Sequence, residues 1–435
     1  MIIKKAITHR SAIKKWTGKG FWAIMDQGLV ATSNFILNIL LARWLSITEY
    51  GTFCVAYTIF LLIATFHTAT LSEPMLVFGP GKYKKKIKAY LRVLLLGQWI
   101  FGLTVGTIFL FAYLVLWSFT SSPQAPVFFG LAIASPFILF QWLMRRACYI
   151  ILHPQLAAIA GAGYMVLTLF GAFCLYSLKW LSPTTALFVM AIASLLSGLW
   201  LFFKIKVYYN YRKDSELIID VLNDHWRYGR WASGTAALSW IPGNIFTLFL
   251  PIWWGLEASA AYKALLNLLL PMMHVTTALG AIFLPVLVDR RSLPNFRYLV
   301  LLFSIFIIFA TVIYWLLLGA FSELIIRFLY SGKYLEYVDL LWLTGVIPIM
   351  VGLITISGDA LQAMERPDKV FLAYVASSGV TLTVGLLFVL SSGVSGAMVG
   401  SLLAYIVTGS VMTGMLASCQ KPSALKIDIA GKNQF

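Results

Sequence analysis

The stretch YLVLLFSIFIIFATVIYWLLLGA, residues 298–320, runs for 23 residues without one charged side chain, and its reading decides the class of fold. An α-helix rises 1.5 Å per residue, so about 20 mostly apolar residues cross the roughly 30 Å hydrocarbon layer of a bilayer. Eleven further apolar stretches surround it. They fall at about 20–43, 52–79, 90–116, 125–144, 155–177 and 184–204 in the first half, and at 229–254, 258–287, 338–363, 369–391 and 394–418 in the second. The pattern predicts an all-α polytopic membrane protein with about twelve transmembrane helices. The predicted organisation is a basic cytoplasmic tail at 1–19, a six-helix lobe at 20–204, a cytoplasmic linker at 205–228, a second six-helix lobe at 229–418 and a cytoplasmic tail at 419–435.

Composition agrees. The 435 residues are 60% hydrophobic and 11% charged, whereas an average soluble domain carries roughly 25% charged residues. Twelve spans consume nearly the whole chain and leave no room for a sizeable soluble domain. The net charge of +17 would fit nucleic acid only if the basic residues gathered on one folded face; they sit instead between apolar runs. Cys54, Cys148, Cys174 and Cys419 lie in or beside separate apolar segments without paired spacing, which points to neither disulfides nor a zinc site. The basic N-terminal stretch precedes a run of twenty-odd residues with no small-residue cleavage site, unlike a signal peptide.

Lysine and arginine accumulate in cytoplasmic loops. With the N-terminus inside, the outer connectors hold only Arg43, Lys179, Lys263, Arg327 and Lys333 of the 33 basic residues. Both termini are then cytoplasmic. In the linker, Leu217, Ile218, Val221, Leu222 and Trp226 recur at helical spacing opposite Asp220 and Asp224, the pattern of an amphipathic helix lying on the membrane surface. A faint repeat relates the halves: Gly20-Phe21-Trp22-Ala23 to Gly229-Arg230-Trp231-Ala232, Asn34 to Asn244, and Pro74-Met75-Leu76-Val77 to Pro285-Val286-Leu287-Val288, at offsets of 209, 210 and 211. Two parallel six-helix halves around an axis along the membrane normal, with a central cavity between them, follow from it.

Enzyme motifs are missing: no phosphate loop, no dinucleotide-binding glycine pattern and no H-E-x-x-H. The longest outer connector, about 321–337, is too short to build much of an extramembrane active site. No enzyme and no cofactor is expected.

An ionisable residue inside a span costs at least about 2.5–3.5 kcal/mol on insertion scales, so each is a functional candidate unless it reaches an interface. Asp26, Gln27, Asn34 and Asn38 fall within about 120° of one another on a helical wheel, a stripe that lines either a watery cavity or a partner helix. Glu73 precedes Pro74 near the inner end of the second span. It is either a coupling carboxylate or one neutralised by the lysines at 82–88. Gln141, Arg145 and Arg146 end the fourth span as topology-setting charges or as a guanidinium pair for a diphosphate. Trp240-Ile241-Pro242-Gly243-Asn244 interrupts the seventh span and marks a hinge or a cavity wall. Lys263, Asn267 and His274 share one face of the eighth, although Lys263 can also snorkel outward. Asp359 and Gln362 cap the tenth span or bind something. The small-residue pairs Gly102 with Gly106 and Gly396 with Gly400 suit helix packing.

The stretch at 34–62, NFILNILLARWLSITEYGTFCVAYTIFLL, resembles the opening of the polysaccharide exporter and oligosaccharide flippase branch of the multidrug/oligosaccharidyl-lipid/polysaccharide (MOP) superfamily. There an alanine-arginine pair and a leucine precede a short turn and tyrosine-glycine. AAYKALLNLLLPMMHVTTALGAIFLPVLVDRR at 260–291 looks like that family's eighth helix. LYSGKYLEYVDLLWLTGVIPI at 329–349, LQAMERPDK at 361–369 and SGVSGAMVGSLLAY at 392–405 look like its tenth to twelfth. The resemblance implies a MOP/MATE-like fold and a multi-pass protein of the bacterial inner membrane. Its activity would be to flip a lipid-linked oligosaccharide of polyprenyl diphosphate type, or a polysaccharide precursor, from the inner to the outer leaflet by alternating access. Membrane lipid, a proton or sodium gradient and polysaccharide polymerases are the implied partners, and nucleic acid is not. Asn34, Asn38, Arg145, Asn244, Lys263, Asn267 and His274 are then the expected substrate contacts, Lys263 and Arg145 taking the phosphates, with Asp26 and Glu73 coupling the ion. A cation-coupled drug or metabolite antiporter of the same superfamily is the alternative, favoured by a cavity of carboxylates and aromatics without a cation. A non-transporting scaffold of a polysaccharide-assembly complex is a third, favoured by lobes that pack without a polar cavity.

Overall fold

The computed structural model describes residues 2–120, 122, 124–206, 215–290 and 295–419. Among these residues, ten helical stretches are long and apolar enough to cross a membrane. Those of the first half are α1 (Ile2–Trp44), α2 (Ile47–Phe78), α3 (Lys84–Phe119), α4 (Ala125–Ile150), α5 (Pro154–Ser177) and α6 (Pro183–Ile205). In the second half, the run Ser215–Arg290 is divided at Gly255 (φ 81°) into α7 and α8. Then come α9 (Phe296–Ala320), a short helix Ser322–Tyr330, and α10 (Leu340–Ala363). The run from Pro367 to Cys419 is divided at Gly393 (φ 56°) into α11 and α12. Dividing these two runs yields the expected twelve spans. The terminal stretch 420–435 and the linker residues 207–214 lie outside the described residues.

Local chemistry explains the boundaries. Ser46 with Glu49 and Ser182 with Thr185 form reciprocal capping boxes at the starts of α2 and α6. Pro154, Pro183 and Pro367 occupy first-turn positions, where the missing N–H costs nothing. The left-handed backbone at Gly255 and Gly393 excludes a side chain. These two turns also touch: Trp254 lays its ring over Gly393 and donates its indole N–H to the Val389 carbonyl at 2.9 Å.

The prolines inside spans show how a membrane helix tolerates them. Pro242 removes the donor that would reach the Leu238 carbonyl, and the Ser378 hydroxyl of α11 donates to that carbonyl at 2.8 Å instead. The helix stays continuous from Ser215 to Gly255, so the interruption expected at Trp240–Asn244 is absent. Pro74 likewise frees the Thr70 carbonyl, which His225 takes with its Nδ1 at 2.9 Å while its Nε2 accepts from the Tyr90 hydroxyl at 2.7 Å.

That histidine corrects the reading of the linker. From Ser215 onward the segment is the beginning of α7 itself. Leu217, Ile218 and Val221 pack against Tyr83, Ile87, Leu201 and Ile205 of the first lobe. Asp224 faces the same way and accepts from Lys82 Nζ and the Tyr83 hydroxyl, both at 2.6 Å. Leu222 and Trp226 are exposed on the other side. The expected single apolar face is thus split, because protein hydrogen bonds draw Asp224 and His225 inward.

The lobes meet along two seams, α2 with α7 and α1 with α8. At one end of the bundle they are clasped. Lys333 Nζ donates to the carbonyls of Ala42, Arg43 and Leu45 at 3.3, 2.7 and 2.5 Å, Arg43 reaches back to the Phe328 carbonyl, and Thr48 donates to Glu257 at 2.8 Å. At the other end α1 and α8 are uncovered: Phe21, Ile24, Met25, Val275 and Ala278 are exposed, whereas Leu37, Leu41, Ala261 and Leu265 nearer the clasp are buried. Gly51 lies within the clasp, and a Cβ there would overlap the Leu256 carbonyl. Gly51→Val is expected to lower thermal stability in detergent by about 1–3 kcal/mol through overpacking; an unchanged melting curve would remove this contact from the seam.

Candidate functional site

Between α2 and α7 lies a cavity of about 570 Å³. α2 lines it with Leu61, Ala64, Thr65, Thr68 and Glu73, α4 contributes Trp142, and α7 adds Tyr228, Ala232, Thr235, Ala236, Ser239, Trp240 and Asn244. Spacings of three and four residues on both helices turn these side chains to one face each. A π-helical turn at Thr68–Ser72 widens α2 beside the cavity, a device common at functional positions. Just before it, His67 is fully buried against Gln98, its Nδ1 without a hydrogen-bond partner among the described residues.

Two of the site residues expected from sequence, Glu73 and Asn244, line this cavity. Lys263 is tied to it, because its Nζ donates to Asn244 Oδ1 at 3.3 Å while the Asn244 amide donates to the Trp240 carbonyl at 3.1 Å. Asn267 belongs to the α1–α8 seam and donates to the Phe35 carbonyl at 3.5 Å. His274 is exposed on the uncovered half of α8. Asn38 donates to the Asn34 carbonyl at 2.9 Å and accepts from the Tyr50 hydroxyl of α2 at 3.5 Å; Asn34 beside it is half-buried.

Asp26 and Arg145, placed in separate roles by the sequence, form one ion pair inside the first lobe. Arg145 donates through Nε at 2.9 Å, and its Nη2 lies 2.8 Å from the same Oδ1. The Tyr149 hydroxyl donates to Oδ2 at 2.6 Å, and Gly161 of α5 leaves just enough room for the carboxylate. Asp26 is fully buried, so this pair bolts α1 to α4 and α5. Arg146 has no hydrogen bond or ion pair among the described residues. It stands one turn beyond Trp142 on the same face of α4, and Glu73 and Asp26 are the carboxylates whose charges reach it. Successive residues on a helix diverge by 100°, so one guanidinium of the pair can meet Asp26 while the other turns toward the cavity side. The sequence held no sign of which.

No protein-family model and no curated protein sequence matches the chain. Solved structures do. A multidrug resistance MATE family transporter of the MOP superfamily in an inward-facing conformation is 14% identical, covers 92% of this chain and 100% of its own, and superposes with a TM-score of 0.69. The lipid II flippase MurJ, inward closed, is 15% identical over 92% of this chain and 87% of its own, with a TM-score of 0.71. A mutant of the Vibrio cholerae MATE transporter VcmN is 14% identical over 94% and 97%, with a TM-score of 0.67. The chain has the MOP transporter fold.

Within that fold the cavity wall is aromatic and hydroxylic. Trp142, Tyr228 and Trp240 bring ring faces, and Thr65, Thr68, Thr235, Ser239 and Asn244 bring neutral hydrogen-bonding groups, beside the single carboxylate of Glu73. The Trp240 indole N–H is buried without a partner among the described residues. An unmet donor of this kind costs about 1–3 kcal/mol. The stripe was readable from sequence: Leu61, Ala64, Thr65 and Thr68, and Ala232, Thr235, Ala236 and Ser239, each follow i, i+3, i+4, i+7 spacing. Trp142 and Tyr228 gave no such signal, since one aromatic in an apolar run reads equally well as packing.

Proposed function

We propose that this protein is a transporter, not an enzyme, that carries the head group of a lipid-linked oligosaccharide from the inner to the outer leaflet of a bacterial inner membrane. The lipid tail stays in the bilayer. The observation that carries the reading is the cavity wall of aromatic side chains and neutral hydroxyls beside one carboxylate. Sugar rings present C–H faces that pack on the negative face of an aromatic ring, and their hydroxyls accept from and donate to Ser, Thr and Asn. Arg146 supplies a planar fork for the phosphates next to the cavity, with Lys263 behind Asn244 as a second cation. Arg145, satisfied by Asp26, positions α4 instead. Coupling to a proton or sodium gradient then falls on Glu73, which faces the cavity, and no longer on Asp26. Basic residues concentrated at the Lys84 end support a cytoplasmic position for that uncovered end and for both termini. Polysaccharide polymerases acting on the product are partners in this reading.

Deleting the gene is expected to make lipid-linked oligosaccharide accumulate on the inner leaflet while surface polysaccharide disappears, and the wild-type copy restores both. Trp142→Ala removes a ring from the cavity wall; rescue is expected to fall roughly 2- to 10-fold for the loss of one ring contact. Full rescue by this variant would detach Trp142 from the substrate.

Glu73 favours a second reading. As the one carboxylate on the cavity wall, it would suit an organic cation in a cation-coupled antiporter. Normal surface glycan in the deletion strain, together with altered sensitivity to cationic drugs, would replace the first reading by this one.

A further inference from the structure

The first turns of α7 carry a broad apolar arc, and the first lobe covers only one side of it. Leu217, Ile218, Val221 and His225 are turned to α2, α3 and α6. At 100° per residue, Leu222, Trp226 and Ile219 continue this arc away from the first lobe, and they are 58%, 67% and 62% exposed. Depth locates this stripe. His225 meets Thr70, and counting from Ile47 at the other end of α2 with 1.5 Å per residue places that level about 34 Å along the bundle. That distance already equals or exceeds the hydrocarbon thickness of roughly 30 Å. Trp226 therefore lies at the edge of the hydrocarbon, and Leu222 and Ile219 lie beyond it, where apolar side chains need a cover that acyl chains alone do not give. Tryptophan is the residue enriched at that boundary.

The surroundings are cationic. Lys84, Lys85, Lys86 and Lys88 at the start of α3, Lys204 and Lys206 at the end of α6, and Arg227 and Arg230 on α7 are all exposed at this end. The neighbouring acids on α7 are Asp220, which is exposed, and Asp224, which already binds Lys82 and Tyr83.

We propose that this surface docks into the headgroup layer of an anionic phospholipid leaflet, Trp226 at the hydrocarbon boundary, Leu222 and Ile219 among the headgroups above it and the basic collar lying on the phosphates. Each lysine or arginine near such a leaflet adds attraction that a neutral lipid cannot supply. His225 and Asp224 pin the same turns to the first lobe, so the leaflet holds that lobe while the uncovered half of α8 remains free to move. The proposal is independent of the transported substrate.

The test uses the full chain in nanodiscs of mixed phosphatidylethanolamine and phosphatidylglycerol. Native mass spectrometry counts the phosphatidylglycerol that stays bound after mild detergent. Combining Lys84→Gln, Lys85→Gln, Lys86→Gln and Lys88→Gln, all exposed positions, is expected to reduce it roughly tenfold. Retention at the wild-type level would overturn the cationic half of the proposal. A spin label at Trp226→Cys, in a chain whose four cysteines are replaced, reads the other half. Faster relaxation by oxygen than by a water-soluble nickel complex is expected. Stronger relaxation by nickel would mean a solvated helix, and protection from both would mean a protein partner; either result overturns the proposal.

Discussion

Arg145→Ala is expected to destabilise the protein by about 3–5 kcal/mol, because it leaves Asp26 charged and buried with only Tyr149 for support. Asp26 is fully buried and Arg145 is 8% exposed, so solvent cannot replace the missing partner. Three helices depend on the pair: α1 carries the carboxylate, α4 the guanidinium and the tyrosine, and α5 the glycine that admits them. Thermal unfolding in detergent, followed by size-exclusion fluorescence, reads the loss. The neutral pair Asp26→Asn with Arg145→Gln separates stability from transport. If the ion pair is a bolt, the double variant recovers most of the stability of wild type and still rescues a deletion strain. If Asp26 couples the ion, stability returns but rescue does not, and the assignment of coupling to Glu73 has to be withdrawn. A single Arg145→Ala variant as stable as wild type would show that the two charges are not paired in solution.

Lys333→Met is expected to open the clasped end. Lys333 stands in for the missing N–H groups at the C-terminus of α1, where three carbonyls and the negative end of the helix dipole converge on one ammonium group. Charge-assisted hydrogen bonds are worth about 1.5–3 kcal/mol each when made. The three share one donor group, so a shift of roughly 10- to 100-fold in the equilibrium between clasped and open forms is the reasonable scale. Methionine keeps the length and apolar stem and removes the charge, and Lys333→Arg serves as the control that retains donors. Spin labels on exposed residues of the two lobes at this end, Trp180→Cys and Leu324→Cys, report the separation. A longer or broader distance distribution in Lys333→Met is expected, with Lys333→Arg close to wild type. Identical distributions in all three would mean that Gly51 against Leu256 and Thr48 against Glu257 close this end without the lysine.

What the chain determined by itself was its class and its periodicity. Runs such as 298–320 exceed the thickness of a bilayer without a charge, and the free energy of placing them in water leaves no other environment. Twelve spans, their two groups of six, the glycines at which α7 turns into α8 and α11 into α12, and the small and hydroxyl stripes on α2 and α7 all follow from short-range rules along one helix. Glu73 and Asn244 could be singled out for the same reason, as isolated polar groups where lipid would not tolerate them. Only the tertiary structure decided who meets whom. Asp26 and Arg145 are 119 residues apart, and which of two adjacent arginines faces the carboxylate depends on the rotation of α4 about its axis, a quantity set by packing against α3 and α6. His225 closes the carbonyl freed by Pro74, and Ser378 the one freed by Pro242. An apolar span advertises its length in its own composition, but the partner of a buried polar group is chosen by the neighbouring helix, and one helix carries no record of its neighbour.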